Sequence, residues 1–306
     1  MSGHTHKSAL GAMPLAQVWP GLLLAAAGSI AFSGKAILAK LMYRHGVDAV
    51  TVVAWRMLLA LPLFAALAWW ASRGKPALTR KDWAVVLGLG FSGYYLASML
   101  DFYGLMYISA SLERLILYLG PTIVMALSVF VLKRHVSARQ WLAAAVSYSG
   151  VMIVFGHELS VQGDHVWLGA GLVFGSAVSY SVYLLASGEV VQRMGSLRLT
   201  GLASTAACVL CLLHFAVVKP LGAIHVPEPV MWLSLLNATA CTVAPVLMVM
   251  MAIERIGSAL SAQIGMIGPL STISMGVLLL NEPFTPLLLV GTGLVLTGVW
   301  LLTRWR

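Results

Sequence analysis

Five charged residues lie inside long apolar runs: Lys35, Arg56, Asp101, Glu113 and Arg114. Charge in hydrocarbon is costly, so ionisable groups at depth mark either structural ion pairs or functional sites. Two carboxylates raise the question of an intramembrane aspartyl protease, but that chemistry needs two aspartates from separate helices, and Asp101 has no second aspartate in such a run. The readings left are an ion-pair cluster that fixes helix register, and an outer gate or a proton- or substrate-responsive site. Asp101 and Arg114 are equally far from a turn centred between Tyr107 and Ile108, so the spacing predicts a pair between them at one depth. Glu113 points about 100° away around its helix, and Lys35 or Arg56 is its expected partner.

Other arrangements carry less. Cys208 and Cys211 are spaced like a redox pair, yet they fall mid-run, where small core residues are the simpler reading. His4 and His6, and separately His157, Glu158, Asp164 and His165, are metal-ligand types, but a solvated tail and a solvated loop account for them. No metal or cofactor is expected. The stretch GLGFSG, Gly88 to Gly93, has dinucleotide-type glycine spacing without the preceding strand that such a site needs. Close helix contact in a membrane is the better reading.

The elements that must hold these residues follow from composition. The chain of 306 residues is 60% hydrophobic and 9% charged, with a mean hydropathy of +0.91; a soluble domain carries about 25% charged residues. Ten apolar runs are each long enough for a bilayer core of about 30 Å: 18–40, 49–70, 83–104, 109–132, 140–156, 166–187, 198–218, 229–251, 257–280 and 286–302. Alternating ten-residue patterns of a β-barrel are absent, so the expected fold is all-α and integral to the membrane. The basic residues fall on alternate connections. Lys7, Arg73, Lys75, Arg80, Lys81, Lys133, Arg134, Arg139, Arg193, Arg198, Arg255, Arg304 and Arg306 share one face, against Lys40, Arg44 and Lys219 on the other. The positive-inside rule then places both termini in the cytoplasm, the N-terminus as a tail over 1–17. The net charge of +9 serves topology and anionic lipid headgroups rather than nucleic acid.

The chain repeats itself. Gly120-Pro121 recurs as Gly268-Pro269, and at the same offset of 148 Ile108 meets Ile256, Ser128 meets Gly276 and Gly150 meets Gly298. Near the start of each half, GLLLAAAGSIAFS (21–33) is echoed by GLVFGSAVSYSVY (171–183). Two halves, 18–157 and 158–306, thus hold five spans each. Five is odd, so the second is inverted, the arrangement of alternating-access transporters with midplane sites between the repeats. Pro121 and Pro269 fall near helix centres, where proline frees a carbonyl and permits a hinge.

At this point the chain resembles a family. SASLERLILYLGPTIVMAL and its echo GSALSAQIGMIGPLSTISMGVLLLNEPFT are similar to EamA-type members of the drug/metabolite transporter superfamily. The Asn281-Glu282 step before the last run matches a family feature, from which the first half departs at Arg134. The resemblance implies ten helices, small-metabolite export without ATP, and bacterial members that export amino acids, aromatic ones among them.

Estimated helix centres put uncharged polar and aromatic groups near the midplane. Expected substrate contacts are Ser33, Tyr94, Tyr95, Tyr118, Ser179, Tyr180, Tyr183, Asn237 and Gln263, a lining suited to a small polar or aromatic solute. A phosphate or nucleotide-sugar cavity would want Lys or Arg there. The leading expectation is a bacterial inner-membrane exporter of amino acids whose partners are the solute and the bilayer. A nucleotide-sugar or sugar-phosphate exchanger and a multidrug exporter are the alternatives, and a scaffold or an enzyme ranks below them.

Overall fold

The computed structural model describes residues 15–133 and 135–305. Most of the expected N-terminal tail, with His4, His6 and Lys7, and the charges at Arg134 and Arg306 lie outside the described residues. Ten helices are long and apolar enough to cross a bilayer. They are α1 (Leu15–Tyr43), α2 (Ala49–Ser72), α3 (Arg80–Leu105), α4 (Ala110–Leu132), α5 (Ala138–Gln162), α6 (His165–Met194), α7 (Ser196–Val218), α8 (Glu228–Gly257), α9 (258–280) and α10 (Pro286–Arg304). Inner and outer below denote the Lys/Arg-rich and Lys/Arg-poor faces. Exposed tryptophans mark both faces, with Trp69, Trp70, Trp83, Trp141 and Trp300 on the inner side and Trp167 and Trp232 on the outer. Their amphipathic rings suit the headgroup level. The Arg73 guanidinium lies 3.6 Å from the centre of the Trp69 ring.

One offset relates the halves from α3 onward. Thr79 caps α3, and Pro227, 148 residues later, occupies the cap position of α8. A π-helical turn at Phe91–Leu96 in α3 recurs at Thr239–Val243 in α8. The backbone of α4 breaks at Tyr118 and Leu119, and that of α9 at Met266, each with ψ near −9°. Both helices end on a left-handed residue, Lys133 (φ 51°) and Asn281 (φ 58°). Ser137 and Thr285 then accept from the third residues of α5 and α10. Such side-chain caps satisfy amides that the first helical turn leaves open, and they matter more where lipid cannot supply a partner.

The principal contacts cross between the halves and obey the same symmetry. Helix α1 packs on α8 as α6 packs on α3, and α1 meets α9 as α6 meets α4. The pairs α2–α7, α4–α9 and α5–α10 map onto themselves. Small residues set the approach. A Cβ on Gly90 would lie 2.6 Å from the Ala203 carbonyl oxygen, and one on Gly298 2.6 Å from that of Ala143. Gly90 and Gly93 of GLGFSG therefore seat α3 against α7 and α6 rather than cradle a phosphate.

At the outer face Asp48 caps α2 and takes Lys219 at 3.0 Å, joining the α1–α2 and α7–α8 connections. Partial burial opposes its charge, but Lys219 and the Thr51 amide and hydroxyl outweigh that and hold the carboxyl below its ordinary range.

The charge asymmetry fixes an outcome for labelling. Cysteine at His225 should react with an impermeant maleimide applied to intact cells, and cysteine at Lys75 should react only after permeabilisation. The native Cys208, Cys211 and Cys241 are buried. Equal labelling at the two positions would contradict the assigned orientation.

Candidate functional site

The charged residues converge in the outer half of the bundle. Helix α1 brings Lys35 between α3 and α4, where its Nζ lies 2.5 Å from Asp101 Oδ2 and 3.6 Å from Glu113 Oε1. Lys35 is 6% exposed, Asp101 2% and Glu113 0%. The expected Asp101–Arg114 pair is thereby corrected. Equal depth is not equal azimuth: Asp101 and Glu113 both face α1, whereas Arg114, one residue on, turns toward α9 and donates from Nε to Thr272 Oγ1 at 2.8 Å. Arg56 of α2 does the equivalent toward α8, donating from Nε to Thr242 Oγ1 at 2.9 Å. Phenylalanine rings separate the cations. Phe102 lies 5.6 Å from Lys35 Nζ and 5.1 Å from Arg56 Cζ, and Phe32 5.6 Å from both Lys35 Nζ and Arg114 Cζ. Rings at that distance attract cations through their quadrupoles.

Several polar atoms of this cluster are sealed without a hydrogen-bond partner among the described residues: Arg56 Nη1, Asp101 Oδ1, both Glu113 oxygens and Asn237 Oδ1. Asn237 belongs here and not to a midplane lining; its Nδ2 donates to the Lys35 carbonyl at 3.4 Å.

A second network closes the outer end. Glu282, just beyond α9, accepts from the Ala110 amide at 2.7 Å, the Ser111 amide at 3.2 Å and the Ser111 hydroxyl at 2.7 Å. Glu158 of α5 accepts from the Ser109 amide at 3.2 Å and from its hydroxyl. Both carboxylates face the N-terminus of α4, where open amides and the helix dipole favour negative charge. Arg44 donates to the Leu280 carbonyl at 2.5 Å, drawing the α1–α2 connection onto the end of α9. The solvated loop expected at Glu158 is corrected, since Glu158 lies on α5 and is 8% exposed, and Glu282 is not among the expected site residues. The Asn281-Glu282 step was visible as a motif, but nothing in it tells which helix end it meets.

Below the cluster, α4 and α9 cross at their breaks. Pro269 has no amide to donate to the carbonyl of Gly265, four residues earlier. The Tyr118 hydroxyl donates to that carbonyl instead. Ser33 of α1 donates to the neighbouring Gly268 carbonyl at 2.9 Å. The breaks precede Pro121 and Pro269 by two to three residues rather than falling on them. On the inner side of Tyr118 opens a cavity of about 210 Å³, lined by Leu117, Tyr118, Pro121, Gln263, Met266, Val299 and Thr303.

The nine expected substrate residues do not form one lining. Tyr118 and Gln263 share the cavity, whose lining does not include Ser33, bonded to the Gly268 carbonyl. Tyr94, Tyr180, Tyr183 and Ser179 gather between α3 and α6. There the Tyr94 and Tyr183 hydroxyls lie 3.1 Å apart, the Tyr180 and Tyr183 rings stack at 5.5 Å, and Ser179 donates to the Ser92 carbonyl of the π-helical turn at 2.7 Å. Tyr95 turns to α7, with its hydroxyl 2.6 Å from His214 Nδ1. Tyr94 and Tyr95, neighbours on the π-helical turn, thus point to different helices. The reach of His214 is another contact that the sequence did not signal. Among the described residues no cluster of three His, Cys, Asp or Glu could hold a metal ion.

Two interlocked five-helix repeats, breaks in facing helices and a cavity beside them define a membrane transporter of the inverted-repeat class. The EamA-like transporter family model matches residues 19–156 and again 167–304, so the chain belongs to that family and to the drug/metabolite transporter superfamily. An uncharacterized transporter of Bacillus subtilis strain 168, YcbK, is 28% identical over 91% of this chain and 92% of its own length. A second from the same strain, YetK, is 23% identical over 92% and 86%. A crystal structure of a protein superposes at a TM-score of 0.63 with 18% identity, covering 92% of this chain and 95% of its own, and bears on the fold alone.

The Lys35 contacts make a specific demand on the two carboxylates. Asp101→Asn should destabilise the protein by about 3–5 kcal/mol, the cost of removing one partner from a buried pair. A thermal melt in detergent reads this, and exchanging the pair as Lys35→Asp with Asp101→Lys should restore part of the loss. Rescue by Arg114→Asp with Asp101→Arg instead would return the pairing to Arg114.

Proposed function

We propose that this transporter exports amino acids, large neutral and aromatic ones among them, by alternating access about the breaks in α4 and α9. The observation that carries the reading is the cavity beside those breaks. Its wall combines a tyrosine ring, a methionine, a glutamine amide and aliphatic side chains, and no ionised group is among them. An apolar wall with a few placed polar groups suits a solute with an apolar or aromatic side chain. A phosphate ester would leave most of its charge unpaired against such a wall. The outer end is bolted by Glu282, Glu158 and Arg44, while the cavity lies on the inner side of Tyr118. That arrangement fits the inward-facing state of an exporter waiting for cytoplasmic solute. A bacterial inner membrane is the proposed location, in keeping with relatives from a bacterium.

Counterflow in proteoliposomes tests the substrate class. Unlabelled phenylalanine, leucine and tyrosine should compete for labelled phenylalanine, and phosphate esters and nucleotide sugars should not. Tyr118→Ala should weaken phenylalanine more than alanine by about 2- to 10-fold, the worth of ring contacts of roughly 0.5–1.5 kcal/mol. Competition by phosphate esters alone would favour a nucleotide-sugar or sugar-phosphate exchanger, and equal loss for both amino acids would remove the ring from recognition.

The prolines have a test of their own. Pro269→Ala returns an amide that can take the Gly265 carbonyl from Tyr118, which stiffens α9. Turnover should fall by about tenfold, or about 1.4 kcal/mol on the barrier, with folded protein at wild-type level. Pro121→Ala should act in the same direction. Wild-type initial rates in both variants would make the prolines passive.

A further inference from the structure

The buried cluster carries an unbalanced charge. Three cations, Lys35, Arg56 and Arg114, face two carboxylates, Asp101 and Glu113, and all five are 6% exposed or less. Lys35 lies against both carboxylates, so the surplus belongs to the arginines. The next carboxylates outward, Glu158 and Glu282, are bound at the N-terminus of α4. A surplus cation held in a low-dielectric interior needs a counter-charge.

The two arginines differ in access. Arg56 Nη1 is sealed and without a partner, beneath the Phe102 ring. Arg114 uses only Nε, toward Thr272. Its Nη1 and Nη2 have no hydrogen-bond acceptor among the described residues, and they are not among the sealed atoms. Arg114 also stands one helical turn outward of Tyr118 on the same helix, a rise of about 6 Å, and Tyr118 forms the cavity wall. Thr272, which orients the guanidinium, donates to the Gly268 carbonyl that Ser33 also uses. With Nε engaged, the planar fork keeps both terminal nitrogens without a described acceptor, on a residue one helical turn outward of the cavity wall, and such a fork takes a carboxylate bidentately.

We propose that Arg114 is the anchor for the α-carboxylate of the transported solute, with Thr272 as its positioning residue. This rests on the amino-acid reading above. The solute's carboxylate pairs with the Arg114 fork while its side chain occupies the cavity beneath Tyr118. The Tyr118–Gly265 hydrogen bond stands between the two, so breaking it joins the cavity to the anchor. An amine or amide analogue brings a cation without the carboxylate that pairs with Arg114 and is rejected on electrostatic grounds.

Thermal stabilisation of the full-length purified chain tests this with three probes: L-phenylalanine, 3-phenylpropionate and L-phenylalaninamide. Phenylalanine and phenylpropionate should stabilise the wild type, and the amide should not. In Arg114→Gln the half-saturating concentration of both carboxylates should rise about 30-fold or more, as for loss of one partner of a buried charge pair. Arg114→Lys should lie between. The proposal is overturned if the amide stabilises as well as phenylalanine, if Arg114→Gln leaves half-saturation unchanged, or if no carboxylate stabilises the wild type. Should Arg114→Gln fail to fold, the wild-type comparison of acid with amide and the Arg114→Lys variant decide. Failure of the two readings is distinguishable. Arg114-dependent binding of phenylpropionate without phenylalanine transport keeps the anchor and removes the amino-acid reading. Phenylalanine transport with undiminished binding in Arg114→Gln does the reverse.

Discussion

Lys35 holds the outer half of the molecule together. One ammonium from α1 lies against carboxylates from α3 and α4, and lipid leaves neither sign an alternative partner. A buried pair of this kind adds little net stability against an apolar replacement, yet breaking it is expensive. Its effect is therefore on register, since it ties three helices of the first repeat at one depth. The second repeat has Val249 and Ser261 where Asp101 and Glu113 would recur, with no carboxylate at either. The outer half is bolted by charge, whereas on the inner side apolar packing around Val86, Leu89, Tyr183, Met194 and Leu199 lies beside the Arg193–Asp82 ion pair.

The second constraint is backbone satisfaction. Pro269 removes an amide from α9, and the carbonyl so released needs a donor in a medium that offers no water. Tyr118 supplies it from the facing helix. The second repeat cannot reciprocate, because the residue matching Tyr118 is Met266, whose side chain has no hydrogen to donate. The crossing of α4 and α9 is therefore asymmetric where the folds are symmetric, and the cavity lies beside that asymmetry. A hydrogen bond between two broken helices is also easier to exchange than one inside a helix, which fits motion at this level.

Much of the fold was legible because its causes are local. Ten apolar runs, Lys and Arg on alternate connections and the 148-residue offset each follow from bilayer thickness or chain repetition, and they give the helix count, the inversion and the break positions near Pro121 and Pro269. The first helix extends to Tyr43 rather than 40, since lipid hydropathy does not show where a helix outlasts its apolar run.

Partners were another matter. Sequence spacing set Asp101 and Arg114 at equal depth but not the rotation of α3 and α4 about their axes, which is decided by packing against α1 and α9. That rotation gives Asp101 to Lys35 and Arg114 to Thr272, sends Tyr95 to His214 while Tyr94 meets Tyr183, and withdraws Asn237 into the charged cluster. The sequence by itself determined how many helices cross the membrane, that the halves are inverted and where charge is buried, because each depends on the solvent around one segment. Only the tertiary structure decided which buried groups meet, because azimuth is set by the side chains of neighbouring helices and not by position along the chain.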